Sequence, residues 1–145
     1  MNQRSGSEAI DPIQETLRDL ACLAIVGDHV RWVLRGGDPA GFAAWLTVST
    51  AKWRAWSDRV AAHMAHQDTP PDGRVRALAR DIPWNWVPDG WLSTSEAVDL
   101  MQDRLRRLAE WAEARRSAST AREDEALLGE VQAGLEAQLE ALSSM

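Results

Sequence analysis

The sequence predicts an all-α chain folded as a four-helix bundle, with a long crossover between its second and third helices. Three observations carry this prediction. Four stretches repeat apolar residues at alternating spacings of three and four, the signature of a helix with one buried face. Each stretch opens on a helix-start signal, either Asp-Pro or a Ser/Thr-x-x-Glu box. No stretch alternates apolar and polar residues as a strand would.

Residues 1–10 read as a short polar tail, and residues 11–145 as the bundle domain. Asp11 is placed to cap the first helix, Pro12 suits its first position, and Gln14 completes a pattern resembling a capping box. Ile13, Leu17, Leu20, Ala24, Gly27, Arg31 and Leu34 mark one face, and Gly36-Gly37 end the helix. Asp38-Pro39 repeats the start signal at once. The second helix carries the stripe Phe42, Leu46, Ser49, Trp53, Trp56, Val60 and Met64, and stops at Thr69-Pro70-Pro71-Asp72-Gly73. So short a turn makes the two helices antiparallel neighbours.

The crossover, residues 75–92, holds one short helix near Arg74–Asp81. Pro83, Pro88 and Gly90 forbid a longer one. Trp84, Trp86 and Trp91 suggest that it packs against the bundle. The third long helix starts at the box Ser93-x-x-Glu96 and runs to about Ser117. The fourth starts at Thr120-x-x-Glu123 and carries Leu127, Leu128, Val131, Leu135, Leu139 and Leu142. Four long helices with one long crossover are the ferritin-like arrangement.

Bulk composition narrows the function. The 145 residues suffice for one domain with a true core. A net charge of −6, with Lys52 the single lysine, argues against a strongly basic nucleic-acid surface. Cys22 is the one cysteine and lies in an apolar stretch, which reads as a buried structural thiol in a reducing compartment. The N-terminal residues show no apolar signal region, and no apolar run approaches the ~20 residues of a membrane span. A cytoplasmic protein without a membrane partner is expected. Eight tryptophans without a tyrosine exceed what one small core usually hides, so an oligomer is expected.

Motifs for chemistry are sparse. The histidines are His29, His63 and His66. His63 and His66 lie three apart near the end of the second helix and are weak metal candidates, because two ligands are too few. Cationic groups at a helix C-terminus have an ordinary electrostatic reason to be there. No Glu-x-x-His occurs, and the second helix contains no glutamate. No phosphate-binding glycine loop or nucleophile-base pattern is present. No residue is assigned a catalytic role.

The stretch from Leu20 to Gly73, and then Val87 to Val98, resembles the Dps family of ferritin-like proteins, in its actinobacterial form. That family carries a His-Trp pair late in its first helix, then a turn with glycine. Its second helix supplies His, Asp, Asp and Glu. Trp32, Arg35-Gly36, Asp58-x-x-Ala61 and Pro70-Pro71-Asp72-Gly73-Arg74 fall into this frame without a gap. The segment "VPDGWLSTSEAV" is similar to the family's crossover and third-helix start. The last helix, "DEALLGEVQAGLEAQLEAL", is similar in pattern.

The resemblance implies a hollow shell, a dodecamer built from two-fold dimers, in a family that oxidises and stores iron and protects DNA under stress. Carried over position by position, the five ferroxidase ligands fall on Arg31, Ala43, Thr47, Asp58 and Ala62, of which Asp58 alone keeps a ligand. The expected protein is therefore a shell-forming structural or protective subunit without a resident cofactor. Nucleoid DNA and an active paralogue are candidate partners, although the short tail offers only Arg4 for DNA. In the family Arg31 and Asp58 would face each other from two subunits, so an interface ion pair is expected. Iron oxidation with non-standard ligands is one alternative. It would use Glu123, Asp124 and Glu125 near the pore through which iron passes, and Glu130 and Glu136 to seed mineral. A helical-bundle adaptor that binds a partner through its tryptophans is another.

Overall fold

The computed structural model describes residues 11–37, 41–80 and 87–145. The helices are α1 (Pro12–Val33), α2 (Phe42–His66), α3 (Val75–Leu78), α4 (Thr94–Ala118) and α5 (Arg122–Ser143). Four are long and α3 is a single turn in the crossover. Among the described residues, the only extended pairing is an isolated parallel bridge between Leu34 and Leu92.

α1 starts where the sequence predicts. The Asp11 carboxylate accepts from the backbone N–H groups of Ile13 and Gln14 at 2.9 and 3.4 Å. Gln14 does not complete the box. Its side-chain amide spans the bundle end instead, donating to the Asp72 carbonyl and accepting from the Asp72 N–H, both at 2.9 Å. The expected Asp38-Pro39 start of α2 lies outside the described residues. The helix is described from Phe42, with Gly41 as its cap at φ 73°. Its far end is a two-bond C-cap in which Asp68 stands left-handed at φ 61°. Asp68 N–H reaches the Ala65 carbonyl and Thr69 N–H the Met64 carbonyl.

α4 opens on the predicted reciprocal box, with Ser93 Oγ accepting from Glu96 N–H at 3.1 Å and Glu96 returning the bond at 2.9 Å. The matching expectation for α5 fails. Its cap is Ala121, which makes no side-chain bond. Only Ser119, Thr120 and Ala121 separate α4 from α5, and Thr120 belongs to the reversal rather than to the helix start.

α1 packs along α2 and α4 along α5, and the two hairpins dock through thinner contacts. The predicted stripes point inward. Ile13, Leu17, Leu20, Ala24 and Gly27 of α1 are buried, as are Phe42, Leu46, Ser49, Trp53, Val60 and Met64 of α2. Leu34 leaves the helix and pairs with Leu92, so the end of α1 is held to the start of α4. Trp53 is fully buried and donates Nε1–H to Gln138 Oε1 of α5 at 2.7 Å. Its ring stands edge-on to Trp45, which stacks on Phe42. Cys22 is buried as expected and donates Sγ–H to the Leu78 carbonyl at 3.3 Å, holding α3 to α1. Two close approaches set helix spacing. A Cβ on Gly27 would lie 2.6 Å from Thr50 Oγ1, and one on Gly134 would lie 2.5 Å from the Trp56 ring.

The expected packing of the crossover tryptophans is only partly testable, since Trp84 and Trp86 lie outside the described residues. Trp91 is 58% exposed and carries the Arg35 guanidinium over its ring at 3.7 Å. Its flat face serves a surface cation rather than the core.

A candidate functional site on the outer face of the first hairpin

Arg31 sits in the last turn of α1, followed by Trp32, which is 66% exposed. The Arg31 side chain folds back one turn, and its Nη2 lies 3.0 Å from Asp28 Oδ1. Arg54 reaches across from α2 to the other oxygen of the same carboxylate. One anion thus serves two guanidiniums and ties the helices together. Burial pushes the Asp28 carboxyl up, but hydrogen bonds from Arg54 and Arg31 outweigh it and hold the group below its ordinary value.

The other four positions lie on α2. Ala43 is half-buried and offers only its backbone carbonyl, which accepts from Thr47 Oγ1 at 3.1 Å. That bond directs the Thr47 hydroxyl back onto its own helix. Asp58 is exposed and has no ion-pair partner among the described residues, although Arg54 precedes it by one turn. Ala62 is exposed one turn later. Such a donor set does not fit iron. Two alanines have no side-chain lone pair, Thr47 Oγ1 is used locally, and the guanidinium of Arg31 repels a cation. Within the chain, no three His, Cys, Asp or Glu side chains among the described residues converge to hold a metal ion.

The weak histidine candidates part company. His63 Nε2 lies 2.7 Å from Asp124 Oδ1, and Gln67 Nε2 donates to the same oxygen at 3.2 Å. This staples the end of α2 to the start of α5. His66 is exposed. Asp124 is therefore a structural acceptor, while Glu123 and Glu125 face solvent. Glu130 pairs with Arg59 of α2, and Glu136 accepts from Gln132 at 3.1 Å. His29 is half-buried and lines a groove of about 560 Å³ with Ile25, Asp28, Trp32 and Pro88. A second, apolar pocket of about 200 Å³ shares Ile25 and continues over Cys22 to Val75 and Leu78.

Sequence reasoning missed Asp28 and Arg54. The Asp28-x-x-Arg31 spacing was visible as an intrahelical pair. Nothing local marked Arg54, among fifteen arginines, as the one that crosses to α1.

No protein-family model matches the chain, nor does any curated protein sequence. Solved structures do. A C-terminal deletion mutant of Mycobacterium smegmatis Dps superposes with TM-score 0.87 at 18% identity, covering 97% of this chain and 99% of that one. Dps92 from Deinococcus radiodurans gives TM-score 0.82 at 18% identity, over 92% of this chain and 82% of that one. Microbacterium arborescens Dps in its high iron form gives 0.82 at 15% identity, over 92% and 88%. At such identities the likeness speaks of architecture: the chain has the ferritin-like helical-bundle fold of the Dps proteins.

Proposed function

We propose that the chain is a shell-forming subunit of the Dps type whose iron-oxidising centre has been replaced by a charge cluster. The observation that carries this reading is Arg31. A permanent cation stands where the resemblance puts a first histidine ligand, and it is fixed there by Asp28, which also holds Arg54. A residue anchored in that way does not vacate the place for iron. The assembly is a homo-oligomer, a dodecamer of two-fold dimers, with the Arg31 and Asp58 positions meeting between subunits. Its role is structural or protective, with nucleoid DNA or an active paralogue as candidate partners. The exposed Ile25, Trp32, Val48 and Val75 support assembly, since they leave apolar surface for another subunit to cover.

Iron oxidation with non-standard ligands draws less support. Asp124 and Glu130, two of its candidate acids, are committed to His63 and Arg59. The test has two parts. The purified chain is weighed by light scattering, and aerobic Fe(II) oxidation is followed by ultraviolet absorbance. A large oligomer without oxidation above the uncatalysed rate is expected. The variant Arg31→His, Ala43→His, Thr47→Asp, Ala62→Glu restores the ligand set and should gain oxidation. Oxidation by the natural chain that survives Asp58→Ala would overturn the reading in favour of other ligands. A monomer would favour an adaptor.

A further inference from the structure

The two hairpins meet along two seams that are built differently. Between α2 and α5, Trp53 bonds Gln138, Arg59 meets Glu130 and His63 meets Asp124. Between α1 and α4, the polar contacts among the described residues centre on one carboxylate. Asp19 of α1 is 2% exposed, and its Oδ2 accepts from Arg115 Nη1 of α4 at 2.7 Å. The same nitrogen donates to Thr16 Oγ1 at 3.1 Å, and the Thr16 hydroxyl donates to the Pro12 carbonyl at 2.8 Å. Arg115 is thereby fixed on the seam, with its guanidinium 5.9 Å from the Trp111 ring. The second carboxylate oxygen, Asp19 Oδ1, is buried with no hydrogen-bond partner among the described residues.

Among the described residues, the charged groups acting on Asp19 are Arg115 from α4, and Arg18 and Glu15 from its own helix. Arg18 and Glu15 pair with each other one turn apart, so their effects oppose. No charge on α2, α3 or α5 acts on it among those residues. A single guanidinium therefore faces a carboxylate that has left water and keeps one oxygen uncompensated. Burial outweighs the attraction of Arg115, and the carboxyl titrates at about 6 rather than 3.8. A proton on Oδ1 leaves Oδ2 free to accept from Arg115, and it buries a neutral group where the ionised form buries a charge. We infer that Asp19 is a proton-dependent latch: the α1–α4 seam stays closed while Asp19 carries its proton and opens more often once the proton is lost, with the α2–α5 seam still holding the hairpins together. Opening returns the carboxyl to water and to its ordinary titration, so the closed seam is the form that binds the proton more tightly. The latch belongs to the single chain and does not depend on the shell reading.

Hydrogen exchange read by mass spectrometry tests this on the whole chain at one protein concentration, each rate being divided by the intrinsic rate at that pH. From pH 5 to pH 7, protection should fall about tenfold in residues 12–22 and 108–118, the change that a shift from 3.8 to about 6 produces over this interval. α2 and α5 should keep their protection. Asp19→Asn, whose neutral amide imitates the protonated acid, should protect the seam equally at both pH values. Arg115→Gln removes the attraction that opposes burial, so the loss of protection should move to higher pH. A purely structural Arg115 would instead lower protection by the same factor at every pH, and this variant decides the matter if Asp19→Asn does not fold. Seam protection unchanged between pH 5 and pH 7 in the natural chain would overturn the latch. So would a fall of equal size in α2 and α5, or a pH response that persists in Asp19→Asn.

Discussion

Substituting Gly27 by alanine should push the first hairpin apart. In a helix interior this exchange ordinarily stabilises by about 1 kcal/mol, since glycine gives up more backbone freedom. Here the added methyl would stand 2.6 Å from Thr50 Oγ1 and 2.8 Å from Trp53 Cζ3, against ordinary contact from 3.4 Å upward. Neither neighbour can withdraw. Trp53 is fully buried and bonded to Gln138, and Thr50 is 2% exposed. The helices must part by something under an ångström, and overpacking of this kind costs about 1–3 kcal/mol. The net expectation is a loss of up to about 2 kcal/mol, a fall in Tm of up to roughly 5 °C for a chain of this size. Gly129 provides the internal comparison. Its Cβ would meet only the Cδ of the half-buried Arg116 at 3.3 Å, a long side chain that can shift. Gly129→Ala should therefore be neutral or raise stability by up to about 1 kcal/mol. Thermal denaturation at one fixed protein concentration reads both, since assembly makes Tm concentration-dependent. Equal stabilisation by the two exchanges would refute the close approach of α1 to α2.

Two further outcomes follow from the contacts between the hairpins. Asp19 is buried, and its carboxylate meets Arg115 of α4 at 2.7 Å; desolvation outweighs the attraction of Arg115 and pushes its pKa from 3.8 up to about 6. The folded chain therefore binds the extra proton more tightly than the unfolded one. This contribution is fully present below pH 4 and is lost as pH rises through 6, amounting to about 3 kcal/mol. Urea denaturation across that interval should show the slope, and Asp19→Asn should flatten it. Trp53→Phe removes the indole N–H from Gln138, whose Nε2 already has no partner among the described residues, and should cost about 1–3 kcal/mol. An unchanged urea midpoint would show that this bond contributes nothing.

The helices were readable because their signals are local. Asp11 and the Ser93 box act within one turn, and apolar spacing reports the buried face directly. The box at Thr120 misled because a three-residue reversal claims the threonine, which sequence spacing alone does not reveal. Gln14 misled for a different reason: its amide found a better partner 58 residues away at Asp72. At the site, the identities of Arg31, Ala43, Thr47, Asp58 and Ala62 were available from the register of the resemblance. How Arg31 is held was not. Choosing Arg54 over the other arginines depends on how α1 lies against α2, and that is decided by Gly27 and Trp53 rather than by any charged residue.

The bridge between Leu34 and Leu92 also bears on the order of folding. Each hairpin joins neighbours in sequence and can close early, at a small entropic cost for its short turn. The bridge joins residues 58 apart and forms only after a long segment has been brought home. Chain entropy therefore places docking of one hairpin on the other late in the reaction. A species with both hairpins formed but undocked would expose the indole of Trp53 together with the apolar flank of α5. Its lifetime, rather than the formation of any single helix, would set how readily newly made chains associate wrongly.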